Sequence, residues 1–183
     1  MRKIFFILMS MLIVCSLIGF VTIKNQSSST AVSAIERYGS KVNEIVSEKD
    51  YYDGKVIVFT QDSISQKGFT LSHAYVKKTL FGWKCINTTF GGHGGSVLLS
   101  SGYYKLNNNI KLITGYIADN NISKVEIKVN DEIINPELIS INGVRLWTLY
   151  LDNDLDLQSI NVYGKTEKDA VIRDINLSEF ISI

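Results

Sequence analysis

The sequence predicts an α+β protein, mainly antiparallel β in a sandwich or open barrel, with one N-terminal amphipathic helix preceded by a single transmembrane helix. Three observations carry this prediction. An uncharged apolar run lies near the N-terminus, a helical spacing of apolar residues follows it, and runs with two-residue alternation fill the remainder. Short strands separated by turn residues about every ten positions are typical of antiparallel sandwiches and barrels.

Residues 1–24 are predicted to form a transmembrane anchor or signal-anchor. The run from Ile4 to Ile23 carries no charge, and its twenty residues can span the roughly 30 Å hydrocarbon core of a bilayer as a helix. A cleaved secretory signal is the alternative, since small-x-small sites occur at 29–31 and 32–34. The apolar part of such a signal usually spans only about 7–15 residues, so we expect residues 4–23 to stay in the membrane.

The side of the membrane on which the domain lies is less directly encoded. Basic residues flank the apolar run on both sides, so the positive-inside rule does not decide the orientation. A long domain behind an N-terminal anchor can cross the membrane largely regardless of its charge, which favours a single-pass cell-membrane protein with an extracytoplasmic domain. Residues 12–15, Leu-Ile-Val-Cys, are similar to a lipoprotein lipobox, but Val14 occupies the position where that motif has a small residue.

A polar linker and an amphipathic helix are predicted next. Residues 25–31 are mostly polar and are expected to form a flexible spacer, which leaves residues 32–183 for the extracytoplasmic domain. From Val32 to Glu48, apolar residues recur at spacings of three and four with charged residues between them. This pattern predicts one helix whose apolar stripe packs on a sheet.

The rest of the domain is predicted to be strands. Residues 102–109 are polar and turn-prone, and are the candidate boundary between two halves of the domain. In the second half, Val125, Ile127 and Val129 alternate with polar residues, which predicts one buried and one solvated face. The strand runs are KVIVFTQ, FTLSHAYVKKT and GWKCINTTF, predicted as a three-stranded antiparallel meander, then IKLITGYIA, SKVEIKVN, VRLWTLYL, QSINVYG and AVIRDI.

Several of these tracts resemble a known group of proteins. KVIVFTQD, GFTLSHAYVKKTLFGWKC, ITGYIADNNISKVEIKVN and NGVRLWTLYLD are similar to uncharacterised small membrane-anchored or lipoprotein-type proteins of Bacillus-like Gram-positive bacteria. The short motifs that carry the resemblance are Gly82-Trp83-Lys84, Gly115-Tyr116-Ile117 and Arg145-Leu146-Trp147. The resemblance implies attachment to the membrane and display at the bacterial cell surface, and it supplies no catalytic residues.

The composition excludes several classes of function. The chain is 45% apolar and 20% charged with a net charge of +1, which indicates a globular domain without the basic surface that nucleic-acid binding requires. Cys15 lies in the apolar run and Cys85 is alone in the remainder, so no disulfide or cysteine-based zinc site is available within the domain. No motif predicts a cofactor.

The glycine-rich stretch Phe90–Ser96, FGGHGGS, is the most conspicuous motif. A dinucleotide-binding fingerprint is excluded because its third glycine would fall at Val97 and because a strand pattern, rather than a helix, follows. A tight connection is the simpler interpretation, although exposed backbone N–H groups in such a loop can also contact a ligand. The ligand-binding candidates are therefore Gly91, Gly92, His93, Gly94 and Gly95, together with Trp83 at a predicted hairpin.

Aromatic residues suggest a second kind of binding surface. Tyr51-Tyr52, Tyr103-Tyr104, Trp83 and Trp147 are residues that a carbohydrate or peptide surface uses, although strand aromatics mostly pack in cores. The leading hypothesis is thus a membrane-tethered binding or interaction module for an unknown protein or small-molecule ligand. A tethered inhibitor or immunity-type protein, acting through an exposed edge strand, remains a further alternative.

An enzyme is the alternative from a different class. His73 and His93 are the only histidines, and a small hydrolase or metal-dependent enzyme would need both in one pocket with a Ser or Asp partner. His73 shares the predicted strand face of Leu71 and Tyr75, which favours a buried structural histidine.

An acidic segment is the weak candidate for metal binding. Asp152, Asp154 and Asp156 have the spacing that begins a calcium loop, but Leu157 occupies the position of the required glycine. An acidic turn between two strands is the simpler interpretation.

Overall fold

The computed structural model describes residues 2–62, 68–93, 99–107, 110–151 and 158–178. Over these residues the chain forms two helices followed by twelve strands. The helices are α1 (Arg2–Gln26) and α2 (Ala31–Tyr38). The strands are β1 (Glu44–Tyr51), β2 (Gly54–Asp62), β3 (Phe69–Thr79), β4 (Gly82–His93), β5 (Leu99–Asn107), β6 (Ile110–Ile117), β7 (Lys124–Val129), β8 (Glu132–Ile134), β9 (Glu137–Ile141), β10 (Val144–Leu151), β11 (Ile160–Lys165) and β12 (Val171–Asn176).

Helix α1 is long and apolar enough to cross a membrane. The segment Phe6–Gln26 has a mean hydropathy of 2.6, and none of its most apolar window is buried against the rest of the chain. At 1.5 Å per residue, its 21 residues extend about 31 Å, which matches the hydrocarbon core of a bilayer. An unburied apolar helix of this length is consistent with the predicted single-pass anchor.

The segment between the two helices is attached to the domain, contrary to the predicted flexible linker. Helix α1 continues to Gln26, and Ser28 then pairs with Trp83 through two backbone hydrogen bonds of 2.7 and 2.8 Å. Arg37 of α2 donates to the carbonyl oxygens of Asn25 and Ser27, at 2.5 and 3.0 Å. The polar residues of this segment are used for contacts with the domain, which composition alone does not reveal.

Helix α2 is much shorter than the predicted Val32–Glu48. Thr30 caps its first turn by accepting a hydrogen bond from the Ser33 backbone N–H at 3.0 Å. Gly39 ends it in the left-handed conformation, at φ +111°. Most of the second half of the predicted helix forms strand β1 instead. This strand has a bulge between Ile45 and Ser47, which shifts its apolar residues away from strict two-residue alternation.

Three antiparallel four-stranded sheets form the domain, which confirms the predicted fold class. Their strand orders are β1-β2-β3-β4, β5-β6-β10-β9 and β12-β11-β7-β8. The predicted meander is β2 to β4, and β1 extends it. The described part of the candidate boundary at 102–109 lies in strand β5, which pairs with β6, so the structure does not divide there. The chain passes from the first sheet to the second between β4 and β5.

The layers are stacked in the order α2, first sheet, second sheet and third sheet, with an apolar core at each junction. Ala34 and Ile35 of α2 pack on Ile57, Phe59, Ala74, Val76 and Cys85 of the first sheet. The first and second sheets enclose a core that includes Val56, Val58, Leu71, Tyr75, Leu112, Tyr116 and Leu146. The second and third sheets enclose Ile113, Ile117, Trp147, Val125, Ile127, Val129, Ile160 and Val162. The predicted alternation in β7 is thus confirmed.

Candidate ligand-binding cleft

One end of the first sheet is attached to α1. Successive turns of an antiparallel meander alternate between its two ends, so the β1–β2 and β3–β4 turns lie at the same end. The pairing of Ser28 with Trp83, the second residue of β4, places the C-terminal end of α1 there as well. We call this the helix-proximal end of the first sheet.

A cleft of about 610 Å³ opens at the helix-proximal end. Its central feature is the half-buried indole of Trp83, and the ammonium groups of Lys55 and Lys78 lie 5.7 and 5.9 Å from the ring centroid. Both distances are within the range of a cation–π interaction. The lining residues are Asp50, Tyr52, Asp53, Gly54, Lys55, Lys78 and Trp83, and we call this site the Trp83 cleft.

Two charged groups of the cleft, Lys55 and Asp53, are held in place by ion pairs. Lys55 forms ion pairs with Glu48 and, at 3.5 Å, with Asp50. The hydrogen bond to Glu48 raises the pKa of Lys55 above its usual value. Asp53 pairs with Lys77 and accepts a hydrogen bond of 2.5 Å from the Tyr75 hydroxyl. The hydrogen bond from Lys77, and to a smaller extent that from Tyr75, lowers the pKa of Asp53 below its usual value. The cleft therefore presents fixed charges of both signs at neutral pH.

The β1–β2 turn shapes the outer wall of the cleft. Tyr52 has a positive φ of 49°, which displays its side chain at the tip of the turn with 81% of it exposed. Tyr51 supports it with an edge-to-face contact, at 4.7 Å between ring centroids. Gly54 must lack a side chain, because a Cβ there would overlap the carbonyl oxygen of Val76 and lie 2.9 Å from the Tyr75 ring.

The glycine-rich candidates lie at the opposite end of β4 from Trp83. Gly91, Gly92 and His93 close that strand, whereas Gly94 and Gly95 are outside the described residues. Eight residues of strand separate Trp83 from Gly91, which is roughly 26 Å. Trp83 and the described glycine-rich residues therefore lie at opposite ends of the first sheet.

Gly91 has a packing role in the structure. A Cβ at this position would overlap the carbonyl oxygen of Leu71 and lie 3.0 Å from Cε1 of His73 and 3.1 Å from the Tyr104 hydroxyl. The missing side chain thus makes room for the histidine and the tyrosine between the first and second sheets. This requirement explains one glycine of the FGGHGGS stretch without a ligand.

His73 is a buried structural histidine, as the strand pattern predicts. It is fully inaccessible; Nε2 lies 2.7 Å from the Thr114 hydroxyl, Nδ1 lies 3.3 Å from the Thr89 hydroxyl, and the Tyr104 ring packs at 4.2 Å. Burial lowers the pKa of His73 from 6.5 to about 3, so the imidazole is neutral at physiological pH. A substrate could not reach this ring without separating the two sheets.

The strand register separates the two histidine positions along the first sheet. His73 pairs with Thr89 in the β3–β4 register, whereas His93 pairs with Thr70. Three to four residues of strand correspond to roughly 10–13 Å between the two positions. This separation does not favour the enzyme alternative, which needs both histidines in one pocket.

The metal candidates lie elsewhere. Asp152, Asp154 and Asp156 are outside the described residues. In the part of the chain that the structure describes, no three His, Cys, Asp or Glu side chains come together as metal ligands would.

The aromatic candidates divide between the cleft and the core. Trp83 and Tyr52 border the Trp83 cleft, whereas Trp147 is 1% exposed and packs between the second and third sheets. Sequence reasoning did not connect Asp50, Lys55 and Lys78 with Trp83. The turn signals at Asp53-Gly54 and Phe81-Gly82 could have connected these residues, because the first and third turns of a four-stranded meander lie at the same end of the sheet.

Three comparisons with known proteins identified no relative of this chain. No protein-family model, curated protein or solved structure matches the chain.

Proposed function

We propose that this protein is a membrane-tethered, extracytoplasmic binding module that takes a carbohydrate ligand in the Trp83 cleft. The observation that carries the proposal is a half-exposed indole bordered by ammonium and carboxylate groups of balanced charge. The tether is α1, whose length and hydropathy suit a membrane span. The extracytoplasmic side rests on the translocation argument from the sequence.

A carbohydrate suits this chemistry better than an ion does. Asp50 and Asp53 balance Lys55 and Lys78, so the lining selects neither an anion nor a cation by net charge. Carboxylates accept hydrogen bonds and ammonium groups donate them, and sugar hydroxyls do both. The exposed part of the indole offers apolar ring surface, beside the two ammonium groups, to the C–H face of a sugar ring. The cleft volume falls in the range of small-molecule sites.

Titration with sugars tests the proposed ligand. The full chain in lipid nanodiscs, which contain no sugar detergent, is titrated with soluble oligomers of glucose and of N-acetylglucosamine. We expect a saturable change in tryptophan emission, because Trp83 lies in the cleft while Trp147 is buried and insensitive. The Trp83→Phe variant should lose the emission change, and Tyr52→Ala should weaken binding about ten-fold, equal to about 1.4 kcal/mol.

A matched variant separates binding from general surface effects. Val171→Ala also removes an exposed side chain, 54% accessible, but on the third sheet. It should bind as the unmodified chain does. Absence of any saturable change with both sugar series, or equal weakening by Val171→Ala, would refute carbohydrate binding in this cleft.

Protease accessibility tests the tether and its orientation. With intact protoplasts, we expect added protease to digest the domain while the full-length chain fractionates with the membrane. Protection of the domain would place it on the cytoplasmic side and overturn the orientation. A soluble product that lacks about thirty residues would identify the apolar segment as a cleaved signal instead.

A further inference from the structure

The β3–β4 turn carries an unusual pair of apolar residues. Leu80 is 97% exposed, the highest exposure among the large apolar side chains of the described residues. Its neighbour Phe81 packs edge to face on Phe20 of α1, at 4.6 Å between ring centroids and an interplanar angle of 82°. The turn therefore lies against the apolar helix itself, rather than beyond its end.

The contacts along this hairpin show how far it reaches down the helix. Trp83 pairs with Ser28, Thr79 contacts Ser27 at 2.9 Å between hydroxyl oxygens, and Phe81 then meets Phe20. Phe20 lies four residues before Lys24, the first charge after the apolar run, which is about 6 Å along a helix. If α1 spans a bilayer, the turn reaches the boundary between headgroups and acyl chains.

Basic residues surround the turn at the level expected for lipid headgroups. Lys24 ends the apolar run, and Lys78 and Lys84 flank the turn in β3 and β4. Lys84 stands directly opposite Lys77 in the strand register, and Lys77 is itself paired with Asp53. Among the described residues, no carboxylate lies within ion-pair distance of Lys84 or of Lys78, whose ammonium group lies 5.9 Å from the Trp83 ring centroid. Anionic lipid headgroups can supply the negative charge that these two lysines lack.

We propose that the β3–β4 turn inserts Leu80 and Phe81 into the same bilayer that holds α1, so that the domain is docked on the membrane surface at two points. The proposal rests on the tether part of the proposed function and does not depend on the carbohydrate ligand. The occupant of the apolar surface is lipid, because Phe81 continues the lipid-facing surface of α1 and lysines border it. Docking would orient the Trp83 cleft close to the membrane surface.

Depth-dependent quenching tests this insertion in the full chain. The environment-sensitive NBD fluorophore is attached to Leu80→Cys in a chain whose own cysteines are replaced by alanine, reconstituted in vesicles with anionic lipid. We expect about two-fold quenching by lipids brominated near the headgroup and weaker quenching by lipids brominated at the chain ends, as for interfacial insertion. The same label on Ile133→Cys, 64% exposed in β8, should not be quenched.

A third label distinguishes failure of the tether from failure of the docking. Native Cys15, in the middle of α1, is labelled in a Cys85→Ala chain. Quenching at Cys15 without quenching at Leu80→Cys would overturn the docking and leave the tether intact. No quenching at either position would overturn both, while quenching at Ile133→Cys equal to that at Leu80→Cys would show nonspecific adsorption and also refute the proposal.

Discussion

The free energy of unfolding should fall by about 3 kcal/mol as the pH is lowered from 6.5 to about 4, because the folded protein keeps His73 neutral. Burial lowers the folded-state pKa of His73 to about 3, against 6.5 for the free side chain. Between these values the unfolded chain binds a proton that the folded chain does not. The stability contribution is therefore complete above pH 6.5 and is lost progressively as the pH falls towards about 3.

Urea unfolding of the full chain in detergent micelles at a series of pH values measures this slope. The His73→Gln variant should be less stable at neutral pH, since it disturbs the contacts with Thr89 and Thr114, but its stability should change little over the same pH range. His93→Gln serves as the matched control and should retain the slope. A slope that persists in His73→Gln would show that another group is responsible.

The carboxylates affect only the lower end of this pH window. Hydrogen bonds from lysines, with a further bond from Asn43 to Asp62 and from Tyr75 to Asp53, lower the pKa values of Asp53, Asp62 and Asp169 below 3.8. Their contributions are complete well above 3.8, begin to be lost within about one pH unit above it, and are lost progressively as the pH falls through the lowered pKa values. The decrease above about pH 5 is therefore the part of the slope that reports on His73.

Most of the strand pattern was predictable because alternation in burial is a local property. Val125, Ile127 and Val129 are buried while their neighbours are not, and the meander from β2 to β4 follows its turn signals. Helix α2 and strand β1 were merged because apolar spacing across the Gly39 break mimics one helix. Gly39, in the left-handed conformation, ends helix α2. Apolar periodicity alone does not reveal such a helix end.

The candidate site was less predictable because its parts are distant in the sequence. Trp83 meets Lys55 only through the strand register, and Phe81 meets Phe20 only because the polar segment after α1 pairs with β4. The sequence pattern instead predicted ligand contacts at the glycine-rich motif, although the packing around His73 requires a glycine at position 91. A motif is visible in a sequence, whereas a cleft between two turns depends on the fold.

Substitutions at Gly115 and Trp147 should both be strongly destabilising, and their effects should be coupled. The two residues are directly opposite in the β6–β10 register, and a Cβ at position 115 would lie 2.5 Å from Cζ2 of the indole and overlap the carbonyl oxygen of Ser100. We expect Gly115→Ala to lower the free energy of unfolding by about 3 kcal/mol. Trp147→Ala should lower it by about 3–5 kcal/mol, because the indole fills the core between the second and third sheets.

The double variant separates the two clashes at position 115. Removal of the indole relieves its contact with the new methyl group, so the Gly115→Ala, Trp147→Ala chain should be about 1 kcal/mol more stable than the sum of the single effects. The overlap with Ser100 remains, because it involves strand backbone that pairs with β6. Relief should therefore be incomplete. Urea unfolding of the four chains measures the coupling, and strict additivity would contradict the contact between the Trp147 indole and position 115.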